Sequence, residues 1–285
     1  MHRIALITDS GCDLPQEVLA QYGIGLVPLY IIWGREELRD RLDINPHDFY
    51  TRLVKDPIHP TTSQPHPQDF ARAIAEARDA GAQEALIITI SSGMSSTYNS
   101  AEQAAAQFDD FPVRVVDSRA NSLTQGYAVL AAARAREAGG GLAEMVAAVE
   151  KVRDSAATML YVDTLTYLHR GGRIGRAARW VGTVLNLKPQ LYVNHETGHI
   201  EPGTRSRSRR QALEKMYHAF FDQLDTRLPL HIGIVHSNIR AEADAWAERI
   251  KREYNPVDLI ISMTSPMMGV HTGPGALALC GYAGD

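Results

Sequence analysis

The first half of the chain alternates short apolar runs with longer segments of helical periodicity. Apolar runs rich in β-branched residues, bounded by turn-forming residues, predict buried strands at residues 3–7, 24–32, 84–90 and 113–116. Helical patterning occupies residues 15–22, 46–54, 67–80 and 97–108, and three of these segments have a proline near their start. This alternation predicts an N-terminal α/β sandwich built on a parallel sheet.

The order of elements changes after a run of three glycines. An alanine-rich stretch at 127–138 ends at Gly139-Gly140-Gly141, which predicts a helix stop, and a second helix follows at about 142–154. We place a domain boundary after it, which divides the chain into residues 1–156 and 157–285. Beyond it we predict strands at 158–162, 230–237 and 257–263, a hairpin at 190–202, and helical regions at 174–185, 208–225 and 240–253. This order predicts a second α/β domain with a mixed sheet.

Composition narrows the class of protein. The formal charge of −4 gives no general attraction to nucleic acid or to an anionic membrane. The two cysteines, Cys12 and Cys280, lie far apart and match no metal-binding spacing, which favours a reducing compartment over a disulfide framework. No segment reaches the roughly 18 apolar residues of a membrane span. We therefore expect a cytoplasmic protein that makes at most transient contact with membranes.

Two acidic residues follow the first predicted strand, where α/β sheets place their ligand-binding loops. The segment TDSGCDL puts Asp9 and Asp13 at this edge. A carboxylate pair could hold magnesium, but the spacing does not match a phosphatase nucleophile pattern. Asp13 also precedes Leu14 and Pro15 as a helix cap does, so capping is the favoured interpretation for Asp13.

A serine-rich segment, ISSGMSSTYNSA, follows the predicted strand at 84–90 and leads into a helix. Ser92 and Ser95 would then flank a glycine turn at a helix N-terminus, which is an anion-binding geometry; a serine-rich cap without a ligand is an equal alternative. Thr97 replaces the second glycine of GxSxG, and phosphate-binding glycine fingerprints are missing. A nucleophilic serine and a nucleotide site are both disfavoured.

Three consecutive hydroxyls stand among prolines in the segment HPTTSQPHP. Thr61, Thr62 and Ser63 lie between Pro60 and Pro65, so we expect a stiff loop that can present donors in a fixed array. The plainer alternative is a set of turn and cap residues before a helix that opens at Pro67.

Two arginine clusters and a C-terminal segment complete the candidate chemistry. Arg173 belongs to the cluster in YLHRGGRIGRAARWVG, and Arg205 and Arg207 alternate in TRSRSRRQ, where an extended chain would place them on one side. Both clusters could receive an acidic partner or a phosphate, or could be solvated surfaces. The segment SPMMGVHTGPGALA combines methionines suited to an irregular apolar cavity with His271, Thr272 and a Gly-Pro-Gly turn into a predicted final helix.

These pieces together resemble the DegV family of bacterial fatty-acid-binding proteins. The resemblance rests on motifs that occur in family order along nearly the whole chain: TDSGCDL, PTTSQP, SSGMSSTYNSA, VVDS, YLHRGGRIG, the Lys188-Pro189 pair and HTGPGALA. It implies a two-domain α/β protein with a fatty acid in a tunnel at the domain interface, and no catalysis, metal or cofactor in this chain.

The resemblance also implies roles for individual residues. The carboxylate of a long-chain fatty acid would be held by Thr61, Thr62, Ser63, Ser92, Ser95, His271 and Thr272. A separate ATP-dependent fatty acid kinase would convert the bound acid to an acyl phosphate, and we expect it to dock at Arg173, Arg205 and Arg207.

Two other classes of function compete with this interpretation. A phosphotransferase or hydrolase would use Asp9, Asp13, Ser92 or Ser95, but an identifiable base and a phosphate-binding fingerprint are missing. A nucleic-acid regulator would rely on the arginines, but the chain lacks the basic balance that such proteins carry.

Overall fold

The structure is a computed structural model that describes residues 3–181 and 188–285. The strands are β1 (Ile4–Asp9), β2 (Ile24–Val27), β3 (Tyr30–Trp33), β4 (Glu36–Arg39), β5 (Thr61–Ser63), β6 (Glu84–Thr89), β7 (Val113–Asp117), β8 (Ala156–Tyr161), β9 (Lys188–Asn194), β10 (His199–Ser206), β11 (Leu230–His236), β12 (Asp258–Met263) and β13 (Leu277–Ala283). The α-helices are α1 (Gln16–Gln21), α2 (Pro46–Leu53), α3 (Pro67–Asp79), α4 (Thr97–Ala105), α5 (Ser122–Glu137), α6 (Leu142–Ser155), α7 (Thr166–Arg170), α8 (Arg209–Phe221), α9 (Arg240–Tyr254) and α10 (Pro266–Thr272).

The N-terminal sheet is parallel, as the apolar runs predict. Its four strands follow the order β2-β1-β6-β7, and β1 pairs in parallel with both of its neighbours. The predicted strand at 24–32 is two strands, because β2 ends before Pro28, a residue that has no amide to donate to a ladder. The chain then enters a separate three-stranded sheet of order β4-β3-β5.

The C-terminal sheet is mixed, which also confirms the prediction. Its six strands follow the order β10-β9-β8-β13-β11-β12, with β11 and β12 parallel and the other neighbours antiparallel. The predicted final helix is wrong. The helix, α10, comes before the Gly-Pro-Gly turn, and the wholly buried run LALCGYA forms β13 between β8 and β11.

Helix α5 lies between the two sheets and joins their cores. One apolar cluster runs from Leu6 and Ile88 of the parallel sheet through Leu123 and Val129 of α5 to Val235 of β11. Every residue of α5 from Ser122 to Leu130 is buried, so the N-terminal part of this alanine-rich helix is covered on all sides and shows no amphipathic stripe. Strand β8 begins at Ala156, next to the proposed boundary, but with this shared core the division at 156/157 stays a prediction.

The described part of the predicted helical region 174–185 is not a regular α-helix. Part of the predicted helical region 174–185 is a 3₁₀ helix, Gly175–Trp180, and its residues 182–185 lie outside the described residues.

None of the helices in residues 3–181 and 188–285 has the length and apolarity needed to cross a bilayer. In the same residues, no cluster of three acidic, histidine or cysteine side chains is arranged to bind a metal ion.

Candidate ligand-binding site

The interior behind β5 and the loop before α4 is hollow. One cavity, here called the polar cavity, encloses about 550 Å³ between atoms, its mouth included, and its walls include Thr62, Ser63, Ser95, Arg173 and His271. A second, the apolar cavity, encloses about 460 Å³ and is walled largely by aliphatic side chains such as Leu191, Val193, Val235 and Leu277. The two cavities share five wall residues, namely Asn121, Leu160, Ile200, Met268 and Thr272. They therefore adjoin one another.

A short edge strand, rather than a free loop, holds the hydroxyls of the PTTSQP segment. Strand β5 pairs antiparallel with β3, with Thr62 opposite Ile31 and Ser63 opposite Tyr30. Prolines stand at positions 60 and 65, just outside the strand, where a missing amide does not break the ladder. The rigidity that we predicted from the prolines is thus reinforced by backbone pairing. Thr62 and Ser63 line the polar cavity, whereas Thr61 is exposed and does not.

His271 closes the polar cavity from the opposite side. It lies near the C-terminus of α10, is buried, and its Nε2 is 2.8 Å from the Thr62 hydroxyl. Its Nδ1 is buried without a hydrogen-bond partner among the described residues. Burial lowers the pKa of His271 to about 3, and the positive charge of Arg173 adds to the effect. The imidazole is therefore neutral at physiological pH.

Two residues of the GGRIG motif fix the surroundings of this imidazole. A Cβ on Gly171 would lie 2.1 Å from Nδ1 of His271, so only glycine fits beside the ring. Arg173 lies at the exposed rim of the polar cavity, where its guanidinium donates to the carbonyl oxygens of Met94 (3.2 Å) and Gly171 (2.9 Å). Arg173 is thus part of the cavity wall as well as exposed, and its predicted role in docking stays a prediction.

The serine-rich loop contributes one hydroxyl to the cavity and uses others for structure. Ser95 lines the polar cavity, and its hydroxyl is 2.8 Å from that of Thr97. Ser92 is exposed, and its hydroxyl donates to Asp117. Ser91 donates to the carbonyl of Gly198 at 2.7 Å, which ties the loop to the turn between β9 and β10. The N-cap residue of α4, Ser96, makes no side-chain capping bond, so the capping interpretation does not hold there.

Known proteins resemble this chain along nearly its whole length. The family model described as "Uncharacterised protein, DegV family" matches residues 3–283. A DegV domain-containing protein of Streptomyces coelicolor is 35% identical over 278 residues, which are 97% of each chain.

The chain belongs to the DegV family. Among solved structures, a DegV family protein from Thermus thermophilus, described for its fatty acid binding, is 35% identical with a TM-score of 0.91 and 99% coverage of both chains. DegV of Bacillus subtilis, described as a fatty acid binding protein, is 29% identical with a TM-score of 0.91, covering 99% of this chain and 100% of that one. The predicted family and α/β architecture are confirmed.

The DegV motifs converge although they are far apart in sequence. PTTSQP supplies Thr62 and Ser63, SSGMSSTYNSA supplies Ser95, and HTGPGALA supplies His271 and Thr272. Thr272 lines both cavities and donates its hydroxyl to the carbonyl of Met268 at 3.2 Å. Met267 and Met268 also line the polar cavity, in agreement with the prediction for the methionine pair. Of the seven residues predicted to bind a carboxylate, Thr61 and Ser92 are not among the described lining residues.

The acidic residues of TDSGCDL are structural. Asp9 is fully buried and accepts from the amides of Ile90 (2.7 Å) and Gly11 (2.9 Å) and from Gln125 (3.2 Å). Burial raises its pKa to about 6. The predicted capping role of Asp13 is wrong, because α1 begins after Pro15 without a side-chain cap. Asp13 instead has a left-handed backbone, with φ of 51°, and links α5 to the start of α10.

The second arginine cluster does not form one continuous surface. Arg205 and Arg207 are exposed, and the guanidinium of Arg205 lies 5.6 Å above the ring of Trp180. Strand β10 ends at Ser206, however, and Arg209 turns inward to pair with Asp163 (3.0 Å) and Glu242 (2.7 Å). The extended register that we predicted for this run holds only as far as β10.

Sequence reasoning missed several polar residues of the cavity walls, Arg173 and Asn121 among them. Arg173 was assigned elsewhere because an arginine beside two glycines is typical of an exposed turn. Asn121 stands directly before α5, where an asparagine is typical of an N-cap, yet it lines both cavities. Nothing in the local pattern distinguishes either residue from its ordinary role.

Proposed function

We propose that this DegV protein binds a long-chain fatty acid and carries it to a separate ATP-dependent fatty acid kinase. In this proposal the carboxylate lies among Thr62, Ser63, Ser95, His271 and Thr272, and the alkyl chain extends into the apolar cavity. The observation that carries the proposal is that a cavity lined by hydroxyls shares part of its wall with a cavity lined by aliphatic side chains. The fatty acid binding described for the relatives from T. thermophilus and B. subtilis supports it.

A fatty acid needs both parts of this site. Each buried methylene contributes about 0.8 kcal/mol, whereas a carboxylate buried without partners costs several kcal/mol. Hydroxyl donors offset that cost, and the rim guanidinium of Arg173 adds a positive charge near the head group. We therefore add Arg173 to the proposed head-group residues.

The neutral imidazole sets the direction of the hydrogen bonds. If Nε2 carries the proton and donates to Thr62, the Thr62 hydroxyl is free to donate to a carboxylate. The buried Nδ1 is then an unfilled acceptor, which costs less than an orphaned N–H donor. We propose this tautomer, because it makes Thr62 a donor toward the ligand without placing a full charge on His271.

Transfer to a kinase rests on the family resemblance and on the exposed arginines. Arg205 and Arg207 are available for an acidic surface, and exposed charge chiefly speeds and orients encounter. The competing enzyme function loses its best candidates for a base, since Asp9 and Asp13 are buried and engaged with backbone and side-chain donors.

Mass spectrometry of the purified protein, native and after solvent extraction, tests the binding. We expect one long-chain acid per chain. Thr62→Val combined with Ser95→Ala should weaken retention roughly 100-fold or more, because two hydrogen bonds to a charged group are lost and each is worth about 1.5–3 kcal/mol. Thr61→Val is the matched control, since the exposed Thr61 side chain should leave retention unchanged. Unaltered lipid content in the double variant would reject the head-group site, and turnover of phosphorylated substrates by the isolated chain would favour the enzyme.

A further inference from the structure

Asn121 occupies a capping position without capping. It is the N-cap residue of α5, with φ of −145° and ψ of 174°, and its side chain makes no capping bond. The residue is only 5% exposed. Within residues 3–181 and 188–285 its carboxamide forms no hydrogen bond with the protein. A residue type that commonly stabilises a helix start thus leaves that role unfilled, and its side chain stays without a protein partner.

Asn121 lies where the two cavities meet. Asn121 belongs to both walls, together with Leu160, Ile200, Met268 and Thr272. The first three are apolar, and the Thr272 hydroxyl already donates to the Met268 carbonyl. A ligand with its carboxylate at Thr62 and its chain in the apolar cavity must pass Asn121 partway along its length.

A plain alkyl chain is a poor match for this junction. Methylenes packed against the carboxamide would exclude water from it and leave it unpaired, which weakens the binding of a plain alkyl chain. A hydroxyl or keto oxygen at that depth would restore the hydrogen bond, since a carboxamide both donates and accepts. Sites that hydrogen-bond a ligand hydroxyl discriminate strongly against analogues that lack it.

We propose that Asn121 makes the site selective for long-chain acids that carry a hydroxyl or keto oxygen within the chain. The proposal rests on the fatty-acid-binding function proposed above and specifies the ligand class of that same site. In this arrangement the carboxylate is held at one end, the oxygen function is held by Asn121, and the terminal alkyl segment fills the apolar cavity.

Competition binding on the delipidated full chain tests this selectivity. A fluorescent long-chain acid is displaced by octadecanoic acid and by a series of hydroxyoctadecanoic acids with the hydroxyl at successive mid-chain carbons. We expect the best hydroxy acid to bind the native chain roughly 10-fold more tightly than octadecanoic acid. Asn121→Leu, of similar size but apolar, should remove that preference and bind octadecanoic acid at least as well. Asn99→Leu makes the same chemical change at an exposed position of α4 and should preserve the preference.

The outcomes separate the two proposals. If none of the acids displaces the probe and the probe itself does not bind, the fatty-acid function fails. If all the acids bind but the native chain prefers octadecanoic acid, or Asn121→Leu leaves the ratio of affinities unchanged, the role of Asn121 is overturned while the carrier stands. If the Asn121→Leu variant folds poorly, the affinities of the native chain for octadecanoic acid and for the hydroxy acids still test the selectivity.

Discussion

Two groups of buried polar side chains lie near the ends of the strands, and they differ in how completely the protein satisfies them. Asp9 and Asp13 are enclosed and hold backbone amides and side-chain donors. His271 and Asn121 instead line a cavity: Nδ1 of His271 is buried against Gly171 without a hydrogen-bond partner, and the Asn121 side chain has no protein partner among the described residues. A polar residue after a strand is therefore a weak sign of ligand binding unless it also lines a cavity.

Burial shifts the pKa values of Asp9 and His271 in opposite directions but favours the neutral form of both. It raises the pKa of Asp9 to about 6 and lowers that of His271 to about 3, so each shift favours the neutral form. Hydrogen bonds from Ile90, Gln125 and Gly11 partly offset the effect at Asp9. At His271 only like charges act besides burial, which leaves a neutral imidazole that an acid ligand can approach.

The largest effect on stability should come from removing the enclosed carboxylate of Asp13. Asp13→Ala removes the acceptor of the Ser122 hydroxyl (2.6 Å) and of the Ser265 amide (2.9 Å). Because both donors stay buried, we expect the free energy of unfolding to fall by about 3 kcal/mol. Urea denaturation measures the change.

Asp13→Asn is the matched control. Asparagine keeps one acceptor oxygen and tolerates the positive φ of this position, so its loss of stability should be clearly smaller. Equal stability of the alanine variant and the native chain would show that Asp13 does not hold α5 and α10 together.

The same contrast explains what the sequence could and could not predict. The parallel strands and most helices follow from local apolar patterns. Asp13 was misjudged because its partners, Ser122 and Ser265, lie 109 and 252 residues away along the chain. Thr62 and His271 are 209 residues apart, so only the family resemblance, and no local pattern, brought them together before the structure did.

The second prediction concerns the packing of Gly171 against His271. Gly171 has φ of −77°, which any residue adopts, so Gly171→Ala is opposed only by the Cβ that would lie 2.1 Å from His271 Nδ1. The imidazole must move away from Thr62, and we expect fatty acid affinity to fall by roughly 10-fold, the loss of about one hydrogen bond to a charged ligand. Isothermal titration of the delipidated chain measures it.

The neighbouring glycine supplies the control. Gly172 has φ of 69° but nothing within 4 Å of a Cβ. Gly172→Ala should therefore cost about 1 kcal/mol of stability through backbone strain and leave affinity unchanged. If both variants bind equally well, the packing of Gly171 against His271 does not position the head-group site.

The smallest effect is expected where arginines face solvent rather than the cavity. Arg205→Glu with Arg207→Glu should leave fatty acid affinity unchanged, because neither residue lines a described cavity. With a cognate fatty acid kinase, the rate of acyl phosphate formation should fall several-fold, and more at low salt than at high salt, since exposed charges act mainly through encounter and are screened.

Arg173→Glu should differ by weakening fatty acid binding itself, because its guanidinium stands at the rim of the polar cavity. If acyl phosphate formation is unaffected by charge reversal at Arg205 and Arg207, the kinase docks on another surface. The proposed binding of the ligand by the cavity residues would be unchanged by that result.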